Sequence, residues 1–377
     1  MNISQFIELT GNCLEDPRRT SYGNILHSLS DILAIACLAV QSGRDTFCGM
    51  ADWGRSHESD LITSGLSLLH GIPSADTFRR VLEDLDPNNL SYCIYTALEI
   101  PSIEDDYLHI DGKTINNSGN KDHKPYQMVT IYSSKSDNVL AELSVPEKTN
   151  EINGAMIIFT LIDISGSIIT GDAIYCQLKI VKYIKSNGGD FIFILKSNQK
   201  NFYAEVNKNY NEIGCENLDW YTKGWENQHG RKELREYAFL PNTSSINEVK
   251  KWDGVNNIGI IRKTTLKNGE KKTETRFAIT SLTDVKIFSE AHRAHWSIES
   301  LHYSLDVFFK EDACRAKKGY SPINLNIIRK FCLNKIMKIK QLLSEKMRIS
   351  IKRLIDISSD KFQYAKEIFE STYTGFG

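Results

Sequence analysis

Apolar residues recur with two different periods along the chain, and the period changes near position 100. Before that point they lie three and four positions apart, as in 24–41, which is typical of amphipathic helices. Ser74 is the predicted N-cap of a helix over 75–85, and Pro87 is expected to end that helix. We therefore predict a helical unit over residues 1–98.

Residues 99–199 alternate between strand-like and helix-like patterns. Short apolar runs bounded by polar turn residues predict strands, and longer stretches with helical spacing predict helices. In chain order, these runs and stretches cover 107–110, 127–132, 139–143, 151–161, 167–170, 177–186 and 191–195. The order of strand, strand, strand, helix, strand, helix and strand predicts an α/β fold with a ribonuclease-H-like core.

Two further segments complete the chain. Residues 200–284 contain strand-like runs separated by Gly, Asn and Lys, and we predict a β-rich insertion there. These runs cover 235–240, 257–262 and 276–281. Helical spacing returns in residues 285–377, which we assign to C-terminal helices of the α/β core.

The composition is that of a globular protein. The chain has 377 residues, of which 41% are hydrophobic and 25% are charged. No apolar run is long enough to span a membrane, and the N-terminus lacks the pattern of a secretion signal, so we expect a cytoplasmic protein with no membrane partner. The eight cysteines include no Cys-x-x-Cys pair, which favours free thiols over disulfides or a zinc site.

Charge is unevenly distributed, although the net charge is only −1. Residues 1–100 carry about twice as many acidic as basic residues, whereas 262–276 and 315–353 are basic. A DNA-binding protein needs only a local basic face, so the average does not exclude nucleic acid as a partner. Basic stretches are also typical of solvated helix faces, and charge alone leaves both interpretations open.

Two aspartates follow predicted strands at matching positions. Asp111 follows the first strand of the core and Asp172 follows the fourth. These two strands are neighbours in a ribonuclease-H-like sheet, so both carboxylates are expected at one edge. Carboxylate oxygens are ligands that Mg²⁺ prefers. For either aspartate alone, the alternative is a turn former or a helix cap.

A third acid is expected from a helix that packs across this edge. Four polar residues share one face of a predicted helix: His295, Glu299, His302 and Asp306. Glu299 is the predicted third ligand. The alternatives are a surface charge, or a zinc site with the two histidines, although no His-Glu-x-x-His order is present. No Gly-x-Ser-x-Gly elbow and no Gly-x-x-x-x-Gly-Lys phosphate loop occurs, so we expect no ATP dependence.

Eight short motifs occur in one order along nearly the whole chain. They lie within 16–31, 71–87, 110–114, 147–152, 172–177, 195–199, 229–235 and 293–312. Among them are Ile-Asp-Gly-Lys-Thr at 110–114 and His-Trp-Ser-Ile-Glu at 295–299. In these motifs and their order the chain resembles the DDE transposases of ISAs-type bacterial insertion sequences, which include the H-repeat-associated proteins.

The resemblance implies a function. DDE transposases cut DNA at the ends of a mobile element and join the freed ends to target DNA. The resemblance implies that Asp111, Asp172 and Glu299 bind two Mg²⁺ ions, for which Mn²⁺ can substitute. It also implies a homodimer that assembles on double-stranded DNA. The DNA partners are the terminal inverted repeats of the element and the target DNA. The expected location is the nucleoid in a bacterial cytoplasm. Residues 1–98 then correspond to the transposase-associated domain.

Other functions and another third acid stay open. A ribonuclease-H-like nuclease and an inactive DNA-binding remnant of a mobile element are the alternative functions, and flanking inverted repeats in the genome would favour the transposase. The Tyr-Arg-Glu-Lys signature of neighbouring families is not intact, because His295 stands at its Arg position and Asp306 at its Lys position. Glu311 and Asp312 therefore compete with Glu299 as the third acid.

Eight basic or histidine residues are predicted to contact DNA. Four are expected to hold terminal DNA, chiefly through its backbone: Arg79, Arg80, His229 and Arg231. Lys113 and Lys196 lie near predicted strand ends and are expected to contact phosphates. His295 or His302 is expected to orient the scissile group. Helix packing is the alternative for the paired arginines, and solvated loop charge is the alternative for the lysines.

Overall fold

Helices form both ends of the chain, and one large sheet lies between them. The computed structural model describes residues 1–18, 25–98, 107–119, 121, 124–145, 151–228, 230–344 and 347–375. Within these ranges six helices precede the sheet: α1 (Ile3–Cys13), α2 (Leu29–Gln41), α3 (Phe47–Ser56), α4 (Glu58–Thr63), α5 (Ala75–Asp84) and α6 (Pro87–Thr96). Five helices follow it: α10 (Val285–Ala294), α11 (Trp296–Val307), α12 (Ser321–Leu343), α13 (Ile351–Asp360) and α14 (Phe362–Glu370). No helix in the described ranges is both long enough and apolar enough to cross a membrane.

Local sequence signals explain how α5 and α6 begin. The Ser74 hydroxyl accepts a hydrogen bond from the Thr77 amide at 3.2 Å, so the predicted N-cap of α5 is confirmed. Pro87 does not end α5, because it is the first residue of α6. Proline suits that position since the first turn of a helix leaves its amide groups unpaired.

The described strands form one nine-stranded sheet in the order β3-β2-β1-β4-β5-β9-β8-β7-β6. The strands are β1 (Tyr107–Thr114), β2 (Gln127–Ser133), β3 (Asn138–Val145), β4 (Ile168–Gly171), β5 (Asp190–Leu195), β6 (Tyr221–Gln228), β7 (Arg231–Phe239), β8 (Asn257–Lys267) and β9 (Glu270–Thr280). Between them lie α7 (Glu151–Ile158), α8 (Leu178–Ser186) and α9 (Lys200–Ile213). β1, β4 and β5 are parallel, whereas β2 and β3 are antiparallel additions beside β1. The predicted α/β fold and the predicted contact of the first and fourth strands are confirmed.

The last four strands extend the same sheet beyond β5. β9 pairs antiparallel with β5, and β8, β7 and β6 follow outward. Three of these strands fall on the predicted strand-like runs but are longer. The sequence pattern does not predict β6, because only two aromatic residues stand among its polar ones and set no apolar period. The three predicted boundaries between the four parts of the chain stay predictions.

The two ends of the chain share one apolar core. The Phe6 ring on α1 lies 5.6 Å from that of Phe331 on α12 and 5.4 Å from that of Phe369 on α14. This core reaches the sheet at Met128 of β2 and Val139 of β3. A separate core on the sheet contains apolar residues of β1, β4 and β5 together with α7 and α8.

A buried ion pair joins the shared core to the sheet. Lys330 on α12 and Glu142 on β3 have fully buried side chains, and the Nζ to Oε2 distance is 2.6 Å. Lys330 also donates to the Thr130 hydroxyl at 2.8 Å, and the Tyr95 hydroxyl of α6 donates to Glu142 Oε1 at 2.6 Å. Because both charges are paired and hydrogen-bonded, α6, β2, β3 and α12 are held together at one point.

We predict that breaking this ion pair strongly destabilises the protein. Lys330→Met leaves the Glu142 carboxylate buried without its cation, which should cost about 3–5 kcal/mol of unfolding free energy in denaturant titrations followed by circular dichroism. A Glu142→Leu, Lys330→Met double variant should recover most of the loss, since no unpaired charge stays buried.

The matched control for this experiment is Lys338→Met, which removes an exposed lysine from the same helix. Its unfolding free energy should stay within about 0.5 kcal/mol of the wild type. Equal small effects of Lys330→Met and Lys338→Met would contradict the importance given to the buried pair.

Candidate functional site

Strand β1 presents alternate side chains to opposite faces of the sheet. Leu108 and Ile110 are fully buried in the core formed with α7 and α8. His109, Asp111 and Lys113 lie on the other face, which α11 covers. The polar positions of β1 therefore form a row under one helix.

Asp111 and Asp172 are neighbours across β1 and β4. Ile110 pairs with Gly171 in the parallel register, so the next residue of each chain is the aspartate. Asp172 directly follows β4 as predicted, but Asp111 lies inside β1 and not at its end. β1 continues because β2 pairs with it as far as Thr114. The prediction that both carboxylates emerge at one edge is therefore supported by the register, with the position of Asp111 corrected.

Helix α11 turns its predicted polar face toward these strands. His295, at the junction of α10 and α11, lies 2.8 Å from the Thr170 hydroxyl through Nδ1. Further along the face, His302 Nδ1 is 3.6 Å from Asp111 Oδ2, and Asp306 pairs with Lys113 at 2.5 Å. Three of the four predicted face residues thus contact β1 or β4.

Glu299 lies on the same face of α11, between His295 and His302, and its side chain is exposed. Burial, together with the negative charges of Asp172, Glu151 and Glu299, raises the pKa of Asp111 to about 6 against the lowering effect of a backbone hydrogen bond from Gly112. Four carboxylates therefore act on one another electrostatically at this edge, and each added negative charge makes a cation more favourable there.

Sequence reasoning missed Glu151 as part of this group. Glu151 is the first residue of α7, and its carboxylate lies so close to Gly112 that a Cβ added there would be 2.7 Å from Oε2. A glycine at 112 thus makes room for the carboxylate beside Asp111. The signal was present in the motif at 147–152, of which residues 147–150 lie outside the described residues.

Tyr175 lies on the buried side of the site, where the charges of Glu151, Asp111 and Asp172 act on its hydroxyl. Its side chain is fully buried, and burial together with the charges of Glu151, Asp111 and Asp172 raises the pKa of its hydroxyl. Tyr175 therefore stays a neutral phenol beside the carboxylates.

A second acidic group is formed by Asp306, which lies one helical turn after His302 on α11, and by Glu311 and Asp312, which follow this helix. Carboxylate oxygens of Asp306, Glu311 and Asp312 lie within 4.8 Å of one another, whereas Asp111, Asp172 and Glu299 form no such tight set within the described ranges. The Lys113 ammonium contacts both Asp306 and Glu311, and only a tenth of the lysine side chain is exposed. A cation of the protein itself therefore offsets part of the negative charge of this second group.

Glu311 differs from its competitor Glu299 in its surroundings. Its side chain is fully buried, and Asn326 donates a hydrogen bond to it in addition to the contact with Lys113. The positive charges of Lys113, Lys330 and Arg329 outweigh burial and lower the pKa of Glu311. Asp312 accepts a hydrogen bond from the Asn116 side chain at 3.1 Å.

The loop after Asp172 is held by the segment that follows β5. Asn198 donates to the Ala173 carbonyl at 2.6 Å, and Gln199 donates to the Cys176 carbonyl at 2.9 Å. Lys196, in the same segment, is exposed. The motif at 195–199 therefore fixes the backbone that carries Asp172.

The other residues predicted to contact DNA lie elsewhere on the surface. Arg79 pairs with Asp76 and Glu83 on α5, and the more exposed Arg80 pairs with Asp76 at 2.6 Å. Arg231 on β7 pairs with Glu233 at 2.7 Å. His229 lies outside the described residues. None of the three arginines contacts the carboxylates of β1, β4 or α11 in the described part of the chain.

A cationic cluster that the sequence did not reveal surrounds Trp296 at the start of α11. The charged groups of Arg235, Lys263 and Arg293 lie 4.9, 5.4 and 5.0 Å from the centre of its indole, which is 37% exposed. These residues come from β7, β8 and α10, so only the folded sheet brings them together. All three cations also pair with Glu226 or Glu233, so these two carboxylates offset part of the positive charge around Trp296.

Comparisons with known proteins show which family the chain belongs to. A family model described as Transposase DDE domain matches residues 102–334, and one described as DDE_Tnp_1-associated matches residues 12–96. Over 322 residues the chain is 30% identical to the "H repeat-associated putative transposase YhhI" of Escherichia coli strain K12, covering 82% of this chain and 84% of that protein. It is 31% identical over 334 residues to the "Putative transposase YncI" of Escherichia coli O157:H7, covering 85% of each.

We predict that Asn198 controls the order of the loop that carries Asp172. Asn198→Ala removes the hydrogen bond to the Ala173 carbonyl, worth about 1 kcal/mol, so amide hydrogen exchange in residues 172–176 should accelerate about fivefold. Mass spectrometry of peptic peptides measures this. Asn209→Ala removes a similar side-chain hydrogen bond, to the Glu205 carbonyl on α9. This control should leave hydrogen exchange in residues 172–176 unchanged. Unaltered exchange in Asn198→Ala would show that other contacts hold the loop.

Proposed function

Because the chain belongs to the transposase DDE domain family, we propose that it cleaves DNA strands at the ends of an insertion element and transfers them into target DNA. The parallel register of β1 and β4 carries this proposal, since it brings Asp111 and Asp172 side by side under the helix that bears Glu299. The order β3-β2-β1-β4-β5, with β1, β4 and β5 parallel, supports a ribonuclease-H-like core.

The donor chemistry of this edge fits divalent metal ions, which this family generally uses. Asp111, Asp172 and Glu299 offer carboxylate oxygens, which hard cations such as Mg²⁺ prefer. Burial and, after it, the negative charges of Asp172 and Glu299 raise the pKa of Asp111, and a bound cation would offset both effects. Asp306 and Glu311 are less suited because the Lys113 ammonium already pairs with both and offsets part of their negative charge. We therefore assign the third ligand to Glu299.

When bound, two Mg²⁺ ions, or Mn²⁺ in their place, activate the attacking oxygen and stabilise the leaving oxygen in phosphoryl transfer. The protein fixes the ligands on rigid elements: Asp111 within β1, Asp172 at the end of β4 and Glu299 on α11. His302 lies beside Asp111, and burial and the charges of Lys330 and Lys113 lower its pKa to about 3, so it is a neutral neighbour of the carboxylate. This leaves the net negative charge of the site for the cations.

DNA contacts are proposed on both sides of this site. The exposed Lys196 follows β5, the strand beside β4, and the cations around Trp296 lie at the start of α11 next to His295 in the sequence, so both suit phosphate contacts. Arg80, Arg231 and His229 are proposed to hold terminal DNA further out. The partners are the double-stranded terminal repeats and the target, bound by a homodimer that assembles on DNA without ATP.

The chain is also proposed to have four parts, and the family matches support only the first division between them. We propose a transposase-associated helical domain at 1–98, the first part of the catalytic core at 99–199, the β-rich insertion at 200–284 and the C-terminal core helices at 285–377. The boundary between the two matched models, at residues 96 and 102, supports the first division.

We predict that Asp111→Asn and Asp172→Asn each lower Mg²⁺-dependent cleavage of an end-containing DNA by at least about 100-fold, because each removes a charged metal ligand. Without DNA, Mg²⁺ or Mn²⁺ should raise the melting temperature of the wild type but not of these variants. Asp253→Asn, at an exposed aspartate of the same sheet region, should retain both responses.

Glu299→Gln and Glu311→Gln decide the third ligand. In Glu299→Gln, Mg²⁺ or Mn²⁺ should no longer raise the melting temperature. The stability of the metal-free protein should change little, since the Glu299 side chain is exposed. Glu311→Gln should lower that stability, because Lys113 loses a buried partner, yet keep the metal response. A metal response that persists in Glu299→Gln and disappears in Glu311→Gln would move the ligand to Glu311.

A further inference from the structure

A chain of three side chains runs from the interior of the sheet to the catalytic edge. His109 on β1 and Thr170 on β4 are directly opposite in the parallel register, so they lie on the same face. The Thr170 hydroxyl is 2.6 Å from Nδ1 of His109 and 2.8 Å from Nδ1 of His295. The two imidazole rings meet edge to face, with centroids 5.6 Å apart.

The number of protons restricts how this chain can be hydrogen-bonded. A threonine hydroxyl has one proton, so Thr170 donates to only one imidazole and accepts from the other. The Thr170 hydroxyl is buried and its own proton needs an acceptor, so one of the two Nδ1 atoms carries no proton and the other donates to the hydroxyl oxygen. Two arrangements satisfy both short contacts, and they place the proton of His295 on different nitrogens.

The surroundings of His109 favour one arrangement. Its side chain is fully buried, and its Nε2 has no hydrogen-bond partner among the described residues. A buried N–H without an acceptor is rarer and costlier than a buried nitrogen lone pair without a donor. The proton of His109 therefore belongs on Nδ1, from which it is donated to Thr170. Thr170 then donates to Nδ1 of His295, and the proton of His295 is on Nε2.

We propose that Thr170 and His109 are positioning residues that hold His295 in the Nε2–H form, as a hydrogen-bond donor to an oxygen of the scissile phosphate. Thr170 is two residues before Asp172, so the same strand that places a metal ligand also places this donor. The donor role rests on the proposed phosphoryl transfer, whereas the hydrogen-bond direction rests on the geometry alone. The donor is neutral, so it adds no charge that would oppose a cation bound at the carboxylates.

The direction is tested in the full-length protein without metal or DNA. Long-range ¹H–¹⁵N spectra of histidine-labelled protein distinguish the two tautomers, and His109→Gln and His295→Gln assign the signals. The wild type should show His109 as the Nδ1–H form, which is the minor form of imidazole in water, and His295 as the Nε2–H form. A His109 protonated on Nε2 would reverse the chain and overturn the proposal.

The role in the reaction is tested with Thr170→Val, which keeps the shape of the side chain and removes the hydroxyl. We expect the two histidine signals to change and the rate constant of DNA cleavage to fall about 10-fold or more, while the affinity for DNA stays unchanged. Thr170→Ser should restore both the signals and the rate. Thr264→Val, which removes the hydrogen bond between the buried Thr264 of β8 and Thr273 of β9, is the matched control and should cleave like the wild type.

The outcomes separate the two proposals. Wild-type cleavage by a folded Thr170→Val protein would overturn the positioning role even if the tautomers are as expected. A wild type that shows the expected tautomers but cuts no DNA with Mg²⁺ or Mn²⁺ would contradict the proposed function and leave the hydrogen-bond direction in place.

Discussion

The parallel pairing of β1 with β4 is the constraint on which the candidate site depends. It sets Ile110 against Gly171, so that Asp111 and Asp172 are the next residues on each chain. It also sets His109 against Thr170, which leads to His295. A shift of the register by one residue would turn one set of side chains to the opposite face, into the apolar core with α7 and α8. One run of backbone hydrogen bonds therefore places both the acidic row and the histidine chain.

Much of the fold could be predicted from periodicity, because its strands and helices bury apolar residues at regular spacing. The predicted order of strands and helices in 107–195 corresponds to the observed order, and the capping of α5 follows from Ser74. β6 could not be predicted in this way, since its sequence carries no apolar period. The end of β1 was also misplaced, because its last residues are held by pairing with β2 and not by burial of apolar side chains.

The candidate site was partly predictable for a similar reason. The face of α11 that carries His295, Glu299, His302 and Asp306 follows from helical spacing, which is a local property. Contacts between distant segments do not follow from spacing. The approach of Glu151 to Gly112, and the cations of β7, β8 and α10 around Trp296, exist only because the chain folds back on itself. Lys113 appeared in the sequence as a free charge near a strand end, yet two carboxylates more than 190 residues later in the chain engage it.

The core shared by the two ends of the chain bears on how the protein is synthesised. The Cys332 thiol donates to the Cys37 carbonyl across 295 residues of sequence, and the first helices bury their apolar faces against α12 and α14. On a ribosome these helices emerge long before their partners exist. They complete their packing only after the chain has been made as far as α12 and α14, so the N-terminal unit cannot reach its final state before those helices exist. A chain cut short anywhere before α12 would leave that apolar surface uncovered, and such surfaces promote aggregation.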